Sequence, residues 1–183
     1  VLQAAYAPSE LVHRDEQIQQ VASIIAPALR QERPSNLFIY GKTGTGKTIT
    51  ARHTTDNLLL IAKKQSIPIQ KLYVNCKLKS VADTEYRLIS SLAREFGKPL
   101  PSTGLPTDDV YKAFFSAVDS TKQLVILILD EVDQLAKKAG DGVLYNLTRI
   151  NEELRHAQIS IIGISNDLMF VDNLDPRVKS SLS

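Results

Sequence analysis

The chain has 183 residues, of which 43% are hydrophobic and 23% are charged, a composition that indicates a folded domain and excludes a low-complexity chain. Because its formal net charge is only +2, any binding to nucleic acid has to come from a local cluster of basic residues. The longest apolar run, residues 124–129, is too short to span a bilayer, and the single cysteine, Cys76, excludes an internal disulfide and fits a reducing compartment.

The first predicted elements surround a glycine-rich turn. Apolar residues three and four apart indicate an amphipathic helix over residues 14–32, which Pro27 should kink because proline lacks a backbone donor. Residues 36–40 (NLFIY) predict a short buried strand, and a helical pattern runs from Lys47 to about Lys64. A second strand is predicted at residues 71–76 (KLYVNC), ending on a buried cysteine.

The second half of the chain continues to alternate helices with strands. Two helices are predicted at residues 83–96 and 107–120, separated by a proline- and glycine-rich segment. The apolar run 124–129 (LVILIL) predicts a strand buried on both faces, followed by a helix at 142–156 and a strand at 159–165 (ISIIGIS). This order predicts an α/β fold in which helices cover both faces of a parallel sheet.

The glycine-rich turn matches the pattern G-x-x-x-x-G-K-[ST] between a predicted strand and a predicted helix. Its glycines allow the backbone N–H groups to point inward at phosphates, and the following helix adds its positive end. Lys47 should reach the β- and γ-phosphates of a nucleotide, and the hydroxyl of Thr48 should ligate Mg²⁺. The predicted nucleotide-binding residues are Gly41, Lys42, Thr43, Gly44, Thr45, Gly46, Lys47 and Thr48.

Two acidic residues, Asp130 and Glu131, end the apolar strand. Ligands of open α/β sheets bind at the carboxyl ends of the strands, so both acids should lie beside the phosphates. Asp130 is predicted to hold Mg²⁺, and Glu131 to orient and polarise the attacking water. The alternative is a strand that ends in solvated acids. Asp133, farther on, is predicted to cap the next turn.

Asn166 follows the last predicted strand, beside the acidic one. Its amide could hydrogen-bond to the γ-phosphate or to the attacking water. It could equally form a turn, since the sequence Asn-Asp readily caps a short helix. Residue chemistry alone leaves both interpretations open.

Together these motifs resemble the AAA+ ATPases and, more narrowly, the archaeal replication-initiator family that is related to eukaryotic origin-recognition complex subunits. The resemblance extends over nearly the whole chain. Its most specific motifs are STGLPT at residues 102–107, IGISNDL at 162–168 and LDPRVKSSL at 174–182.

The resemblance implies a three-layer P-loop NTPase (AAA+) fold with a parallel sheet of strand order 5-1-4-3-2. Residues 1–183 would then form one AAA+ domain, truncated before its fifth strand, its lid and a winged helix. The implied parts are an N-terminal segment and helix (1–35), the phosphate-loop unit (36–76), an initiator-type helical insertion (77–123), and the acidic strand with the sensor strand and arginine-finger segment (124–183).

The resemblance also implies roles for residues outside the phosphate loop. Asn166 becomes the first sensor of bound nucleotide, and Val12 and Arg14 lie where the family packs the adenine. Asn75 matches a position that restrains the catalytic glutamate in many AAA+ proteins, although a strand-end cap would explain it equally well. A polar helix start is the alternative explanation for residues 12–14.

Arg177 is the one candidate for an arginine finger that completes the ATP site of a neighbouring molecule. Many relatives carry Ser-Arg near the end of this segment, where the present chain reads Ser180-Ser181-Leu182. This departure puts hydrolysis activated by a neighbour in doubt. An arginine after Asp-Pro could instead form a surface ion pair of little energetic value.

The implied function is that of a slow ATPase with ATP or ADP and Mg²⁺ as its cofactors. The ATPase would belong to a replication initiator of an archaeal-type cell. That initiator would be cytoplasmic and nucleoid-associated. Its implied partners are double-stranded origin DNA, the replicative helicase and another initiator copy, with no membrane. DNA would be bound mainly by the absent C-terminal domain, with auxiliary contacts from residues 83–120. The alternatives are another AAA+ loader, for a clamp or a helicase, and a nucleotide-held switch with little turnover.

Several basic residues could contact DNA, or could simply form a solvated face: Lys77, Lys79, Arg87, Arg94, Lys98 and Lys112.

Overall fold

The computed structural model describes residues 15–78 and 84–182, which contain a four-stranded parallel sheet. The strand order is β1-β4-β3-β2, the order that the family resemblance implies for these four strands. The α/β prediction is therefore confirmed. The strands are β1 (Leu37–Tyr40), β2 (Ile69–Asn75), β3 (Leu124–Asp130) and β4 (Gln158–Ser165).

Helices connect the strands and cover the sheet. In the described part of the chain, none is long and apolar enough to cross a membrane. The α-helices are α1 (Asp15–Ile25), α2 (Lys47–Lys64), α3 (Glu85–Glu95), α4 (Thr107–Val118), α5 (Val132–Ala139), α6 (Gly142–Thr148) and α7 (Pro176–Leu182), with 3₁₀ helices at Ala26–Arg30 and Ile150–Glu152.

Strand β3 explains the three-layer arrangement, because all of its residues are buried. Successive side chains of a strand point to opposite faces. Accordingly, Val125, Leu127 and Leu129 enter a core shared with α3 to α6, whereas Leu124, Ile126 and Ile128 enter a second core shared with α1 and α2. A continuous apolar strand is thus what a sheet covered on both faces requires.

Three details differ from the predicted elements. Strand β1 is only partly buried, and Tyr40 is exposed, since β1 pairs with β4 alone among the described strands. The first α-helix ends at Ile25 rather than near residue 32, and it continues as a 3₁₀ helix from Ala26, next to Pro27, where the sequence predicts a kink. The helix predicted at 142–156 is wrong in its second half, because α6 ends at Thr148 and the side chain of Asn151 bonds both backbone polar groups of Ile159.

Gly163 in β4 allows the ring of Phe38 to lie directly on the sheet. A Cβ atom at Gly163 would stand 2.5 Å from Cε1 of Phe38, and that ring also packs against Phe170 at 6.3 Å between centroids. We expect Gly163→Ala to destabilise the protein by about 1–3 kcal/mol through overpacking. At roughly 2–4 °C per kcal/mol for a domain of this size, thermal unfolding should begin several degrees lower.

Gly142→Ala provides the matched control, because Gly142 lies at the start of α6 and no atom would stand within 4 Å of an added Cβ. The same change at that position should be neutral or slightly stabilising, since alanine favours a helix more than glycine does. Equal melting temperatures for the two variants would show that the Phe38 ring moves aside without cost.

Candidate active site

The predicted phosphate loop connects β1 to α2. Gly44 and Gly46 adopt the left-handed conformations φ 81° and φ 76°, which residues with a Cβ rarely take, so glycine is required at both turns. Gly46 is the N-cap of α2, and no side chain of the described residues caps that helix end. The first N–H groups of α2 thus face the loop, in the arrangement that binds anions at helix N-termini.

Lys47, the first residue of α2, extends its side chain back over the loop. Its Nζ donates to the carbonyl oxygens of Gly41 at 3.0 Å and Lys42 at 2.8 Å, and to Oγ1 of Thr45 at 3.2 Å. Lys47 is largely buried although it is charged. A buried ammonium with exchangeable oxygen partners is suited to bind phosphate oxygens.

Asp130, at the end of β3, is buried and held by three donors. Its Oδ2 accepts hydrogen bonds from Oγ1 of Thr48 at 2.8 Å and from the hydroxyl of Tyr73 at 2.6 Å, while Oδ1 accepts from the N–H of Glu131 at 2.9 Å. The structure thus brings together Thr48 and Asp130, the two predicted Mg²⁺ ligands. A hydroxyl and a carboxylate are hard oxygen donors of the kind Mg²⁺ prefers, so the residues present fit this ion.

Glu131 has an unusual backbone conformation, with φ 52° and ψ 46° in the left-handed region. For a residue with a Cβ this conformation costs about 1–2 kcal/mol. It forms the abrupt turn from β3 into α5, and its carbonyl accepts from the N–H of Gln134. Strain at the residue predicted to orient water indicates that its position serves a purpose other than stability.

The end of β4 is tied to both the loop and α5. Its last residue, Ser165, accepts from the N–H of Gly41 through its carbonyl at 3.2 Å, and its Oγ donates to Oδ1 of Asp133 at 3.0 Å. The prediction that Asp133 caps a turn is wrong, because Asp133 lies inside α5 and is buried against Ser165. This bond fixes the strand end from which Asn166 emerges.

Most of the predicted phosphate-loop residues and the predicted residues Asp130, Glu131 and Asn166 line one open cleft of about 530 Å³. Other clefts of similar size exist in the described part of the chain, so size does not single it out, whereas the chemistry of its lining does. This cleft combines helix N–H groups, a buried lysine and two acids at a strand end, which the other clefts of similar size among residues 15–78 and 84–182 do not. It is lined by Thr43, Gly44, Gly46, Lys47, Thr48, Ile49, Asn75, Lys77, Asp130, Glu131 and Asn166.

The two asparagines lie in the wall of this cleft. Asn166 is exposed there, directly after β4, as a residue that contacts a ligand would be. Asn75 ends β2, and its Oδ1 accepts from the N–H of Lys77 at 3.0 Å, which is the bond of a strand-end turn. The structure therefore shows the capping geometry for Asn75 and also places it in the cleft.

Arg177 lies away from this cleft, in α7. Its guanidinium pairs with Asp175 at 3.3 Å and stands 5.8 Å from the ring centre of Tyr145, and its side chain is 79% exposed. It lines a separate surface cleft with Tyr145 and Arg149. The hydrogen bond to the Asp175 carboxylate raises the pKa of Arg177, and the hydrogen bond from the Arg177 guanidinium lowers the pKa of Asp175, so both groups are charged.

The remaining predicted residues are placed as follows. Val12 and Arg14 lie outside the described residues, and so does Lys79. Arg87, Arg94, Lys98 and Lys112 are all exposed on or beside α3 and α4. Cys76 is fully buried, as predicted, and burial raises the pKa of its thiol to about 12. That thiol is therefore a structural residue rather than a reactive one.

Sequence reasoning missed two members of the site, Tyr73 and Ser165. Both bond to acids that it had identified, Tyr73 to Asp130 and Ser165 to Asp133. Their positions in the sequence could have indicated them, since each lies on a predicted strand that ends at the edge of the sheet where the acids were expected.

A model of the AAA domain family matches residues 30–168. Among curated proteins, the ORC1-type DNA replication protein of Thermococcus onnurineus is 51% identical over the whole chain, which covers 44% of that protein. The ORC1-type DNA replication protein 1 of Methanosarcina mazei is 53% identical over the whole chain, which covers 43% of that protein. The chain thus spans less than half the length of these relatives.

Among solved structures, that of the Aeropyrum pernix ORC1 protein in complex with DNA superposes with a TM-score of 0.83 at 41% identity, covering 93% of this chain and 43% of the other. The Aeropyrum pernix ORC2 protein in its ADPNP–ADP complexes superposes with a TM-score of 0.75 at 23% identity, covering 93% and 46%, a likeness of fold. The resemblance to archaeal replication initiators is therefore confirmed.

Proposed function

The chain belongs to the AAA domain family, and from that premise we propose that it is the ATP-binding and ATP-hydrolysing domain of a DNA replication initiator. One observation carries the proposal: a single cleft contains a phosphate-binding loop together with Asp130, Glu131 and Asn166 from the ends of two neighbouring strands. Binding phosphates next to acids that can hold a metal ion and orient water is what hydrolysis of a nucleoside triphosphate requires.

Each side chain takes one role in this proposal. The loop N–H groups and Lys47 bind the phosphates, and Thr48 and Asp130 would hold Mg²⁺, which would neutralise phosphate charge. Glu131 accepts a proton from water as that water attacks the γ-phosphorus, the bond to the β-phosphate oxygen breaks, and ADP leaves. Asn166 donates a hydrogen bond to the γ-phosphate or to the water.

Further contacts to nucleotide are proposed for residues that do not line the described cleft. Val12 and Arg14 are proposed to pack against the adenine. Arg177 is proposed to act on ATP held by a second copy of the initiator, because its exposed guanidinium lies in a different cleft from the phosphate loop. A slow, nucleotide-held switch is the second candidate, supported by the pairing of Arg177 with Asp175, which competes with any such contact.

For the whole protein, we propose binding to duplex origin DNA and recruitment of the replicative helicase in the cytoplasm, in association with the nucleoid. The chain would supply one AAA+ domain with its helical insertion at 77–123. The relatives' additional length would supply the main DNA-binding surface and complete the ATP site. If the protein is an initiator rather than a clamp or helicase loader, the whole protein should hydrolyse ATP and should also bind duplex origin DNA in a salt-sensitive way. Hydrolysis without such binding would contradict the proposal.

Helices α3 and α4 are proposed to give auxiliary contacts to DNA phosphates. The chain by itself should then bind duplex DNA weakly, with strong dependence on salt and almost none on sequence, because phosphate contacts carry no direct sequence information. Replacing Arg87, Arg94 and Lys98 together with alanine should weaken that binding and reduce the slope of log K against log salt by up to about 3. Fluorescence anisotropy across a salt series measures both quantities.

The matched control removes three exposed cations outside α3 and α4, Arg33, Lys63 and Lys64, of which the two lysines end α2 on the opposite face of the sheet. The same change in net charge there should leave more of the slope intact. If the chain alone distinguished origin-like from scrambled duplexes by more than about 1.4 kcal/mol, a factor of ten, it would itself read base sequence. Assigning sequence specificity to the rest of the protein would then be wrong.

A further inference from the structure

Tyr73 reaches the acidic end of β3 from the neighbouring strand. In the parallel register Tyr73 lies opposite Ile128, and Asn75 lies opposite Asp130. Tyr73 and Asp130 are therefore diagonal neighbours on one face of the sheet, a separation that only a long side chain spans. The phenol does so, with its oxygen 2.6 Å from Oδ2 of Asp130.

The hydrogen bonds of Asp130 determine how Thr48 can meet a metal ion. A hydroxyl has one proton and two lone pairs, and the proton of Thr48 is donated to Oδ2 of Asp130. The lone pairs of Thr48 therefore stay available to a cation. An ionised carboxylate has roughly four acceptor sites, and three of those on Asp130 are taken by Thr48, Tyr73 and the N–H of Glu131. Its orientation is thus fixed before any ion arrives.

The hydrogen bond between Tyr73 and Asp130 runs from the phenol to the carboxylate. The hydroxyl of Tyr73 carries a proton and donates it to Oδ2 of Asp130 at 2.6 Å, and an ionised carboxylate is an acceptor only. Since Asp130 has no proton to give when ionised, the bond can run in one direction only.

Helix α2 holds Tyr73 from its other side. Thr48, Arg52 and Asp56 are spaced four residues apart and so lie on one face of α2. Thr48 bonds Asp130, the guanidinium of Arg52 lies 4.3 Å from the ring centre of Tyr73, and Asp56 pairs with Lys71 of β2. Through these three side chains, α2 connects the phosphate loop to strand β2 near Tyr73.

We propose that Tyr73 is a positioning residue for the metal site: its hydroxyl holds the Asp130 carboxylate in the orientation in which Asp130 and Thr48 together bind a divalent cation beside the nucleotide. Arg52 supports it by holding the ring. This inference rests on the proposed function, in which Thr48 and Asp130 hold Mg²⁺. Outer partners of this kind typically change metal affinity by about 10–100-fold when removed.

The test measures metal binding without turnover. In the whole protein loaded with ADP, binding of Mn²⁺ as the probe is followed by the loss of the free-ion electron paramagnetic resonance signal. We expect Tyr73→Phe to raise the Mn²⁺ dissociation constant about tenfold, at the lower end of the range for outer partners. ADP affinity measured with a metal chelator should stay within about twofold, because the hydroxyl of Tyr73 donates its hydrogen bond to Asp130 rather than to the phosphate loop. Arg52→Gln should shift the metal constant in the same direction by a smaller factor.

Tyr111→Phe is the matched control, because Tyr111 also donates to a carboxylate at 2.6 Å, that of Glu85, outside the nucleotide cleft. It should leave the Mn²⁺ constant unchanged. An unchanged constant in Tyr73→Phe, with metal bound normally by the wild type, would overturn the inference, and so would an equal loss of metal-free ADP affinity. If Tyr73→Phe does not fold, an unchanged constant in the surface variant Arg52→Gln overturns it. A wild type that binds ADP but no Mn²⁺ beside it would refute the proposed metal site instead.

Discussion

Replacing Lys47 with alanine is expected to abolish useful ATP binding. The ammonium of Lys47 is nearly buried and surrounded by oxygen atoms of the loop, so it can bind phosphates with little competition from water. Removing one member of a buried, hydrogen-bonded charge pair typically costs about 2–5 kcal/mol. This corresponds to a loss of affinity of about 30-fold to several thousand-fold, which calorimetry measures directly.

The control for this change is Lys64→Ala, because Lys64 is exposed at the far end of the same helix. It removes the same charge about 25 Å away, given a rise of 1.5 Å per residue. Lys64→Ala should bind ATP as the wild type does, and both variants should show the melting curve of a folded protein. Near-native affinity in Lys47→Ala would refute the assignment of the phosphate loop.

The features that could be predicted are those in which local sequence must satisfy a local requirement. Gly44 and Gly46 are needed because the backbone of the loop is left-handed at both residues, so the loop can be recognised from the spacing of its glycines. Helix α2 begins at Lys47 and ends at Lys64, as predicted, since its pattern starts directly after Gly46. The burial of β3 on both faces requires a continuous apolar run, which is unmistakable in the sequence.

The features that could not be predicted depend on contacts between distant residues. Tyr73 and Asp130 are 57 residues apart, and Ser165 and Asp133 are 32 apart. A tyrosine or a serine in a strand gives no sign of its partner until the order and register of the strands are known. The same reasoning applies to Asn151, whose bonds to Ile159 end the helical segment that periodicity alone would continue.

Short elements were also difficult to predict for a physical reason. Helix α5 has only eight residues, so its apolar pattern repeats barely twice. It begins after Glu131, whose left-handed backbone no propensity favours. As a result, Asp133 was expected in a turn, whereas it lies in a helix and braces the end of β4.

The second large effect is expected for Glu131→Gln, which should retain bound ATP but slow its hydrolysis by about 10²–10⁴-fold. Glutamine keeps the size and shape of the side chain but accepts a proton far less readily than a carboxylate does. Glu131 also lies beyond the loop residues that face the phosphates, so binding should change little. Single-turnover hydrolysis, measured with protein in excess over ATP, isolates this step from release of product.

Glu153→Gln is the control for the change of charge, because Glu153 is exposed and lies outside the cleft. Its rate should match that of the wild type. The same experiment decides between an ATPase and a nucleotide-held switch. If the wild type hydrolyses bound ATP no faster than Glu131→Gln does, then Glu131 does not activate water, and the strained turn at Glu131 serves only to shape the cleft. The chain would then hold ATP as a signal. Arg177 would stay paired with Asp175 until a partner molecule bound and completed the site.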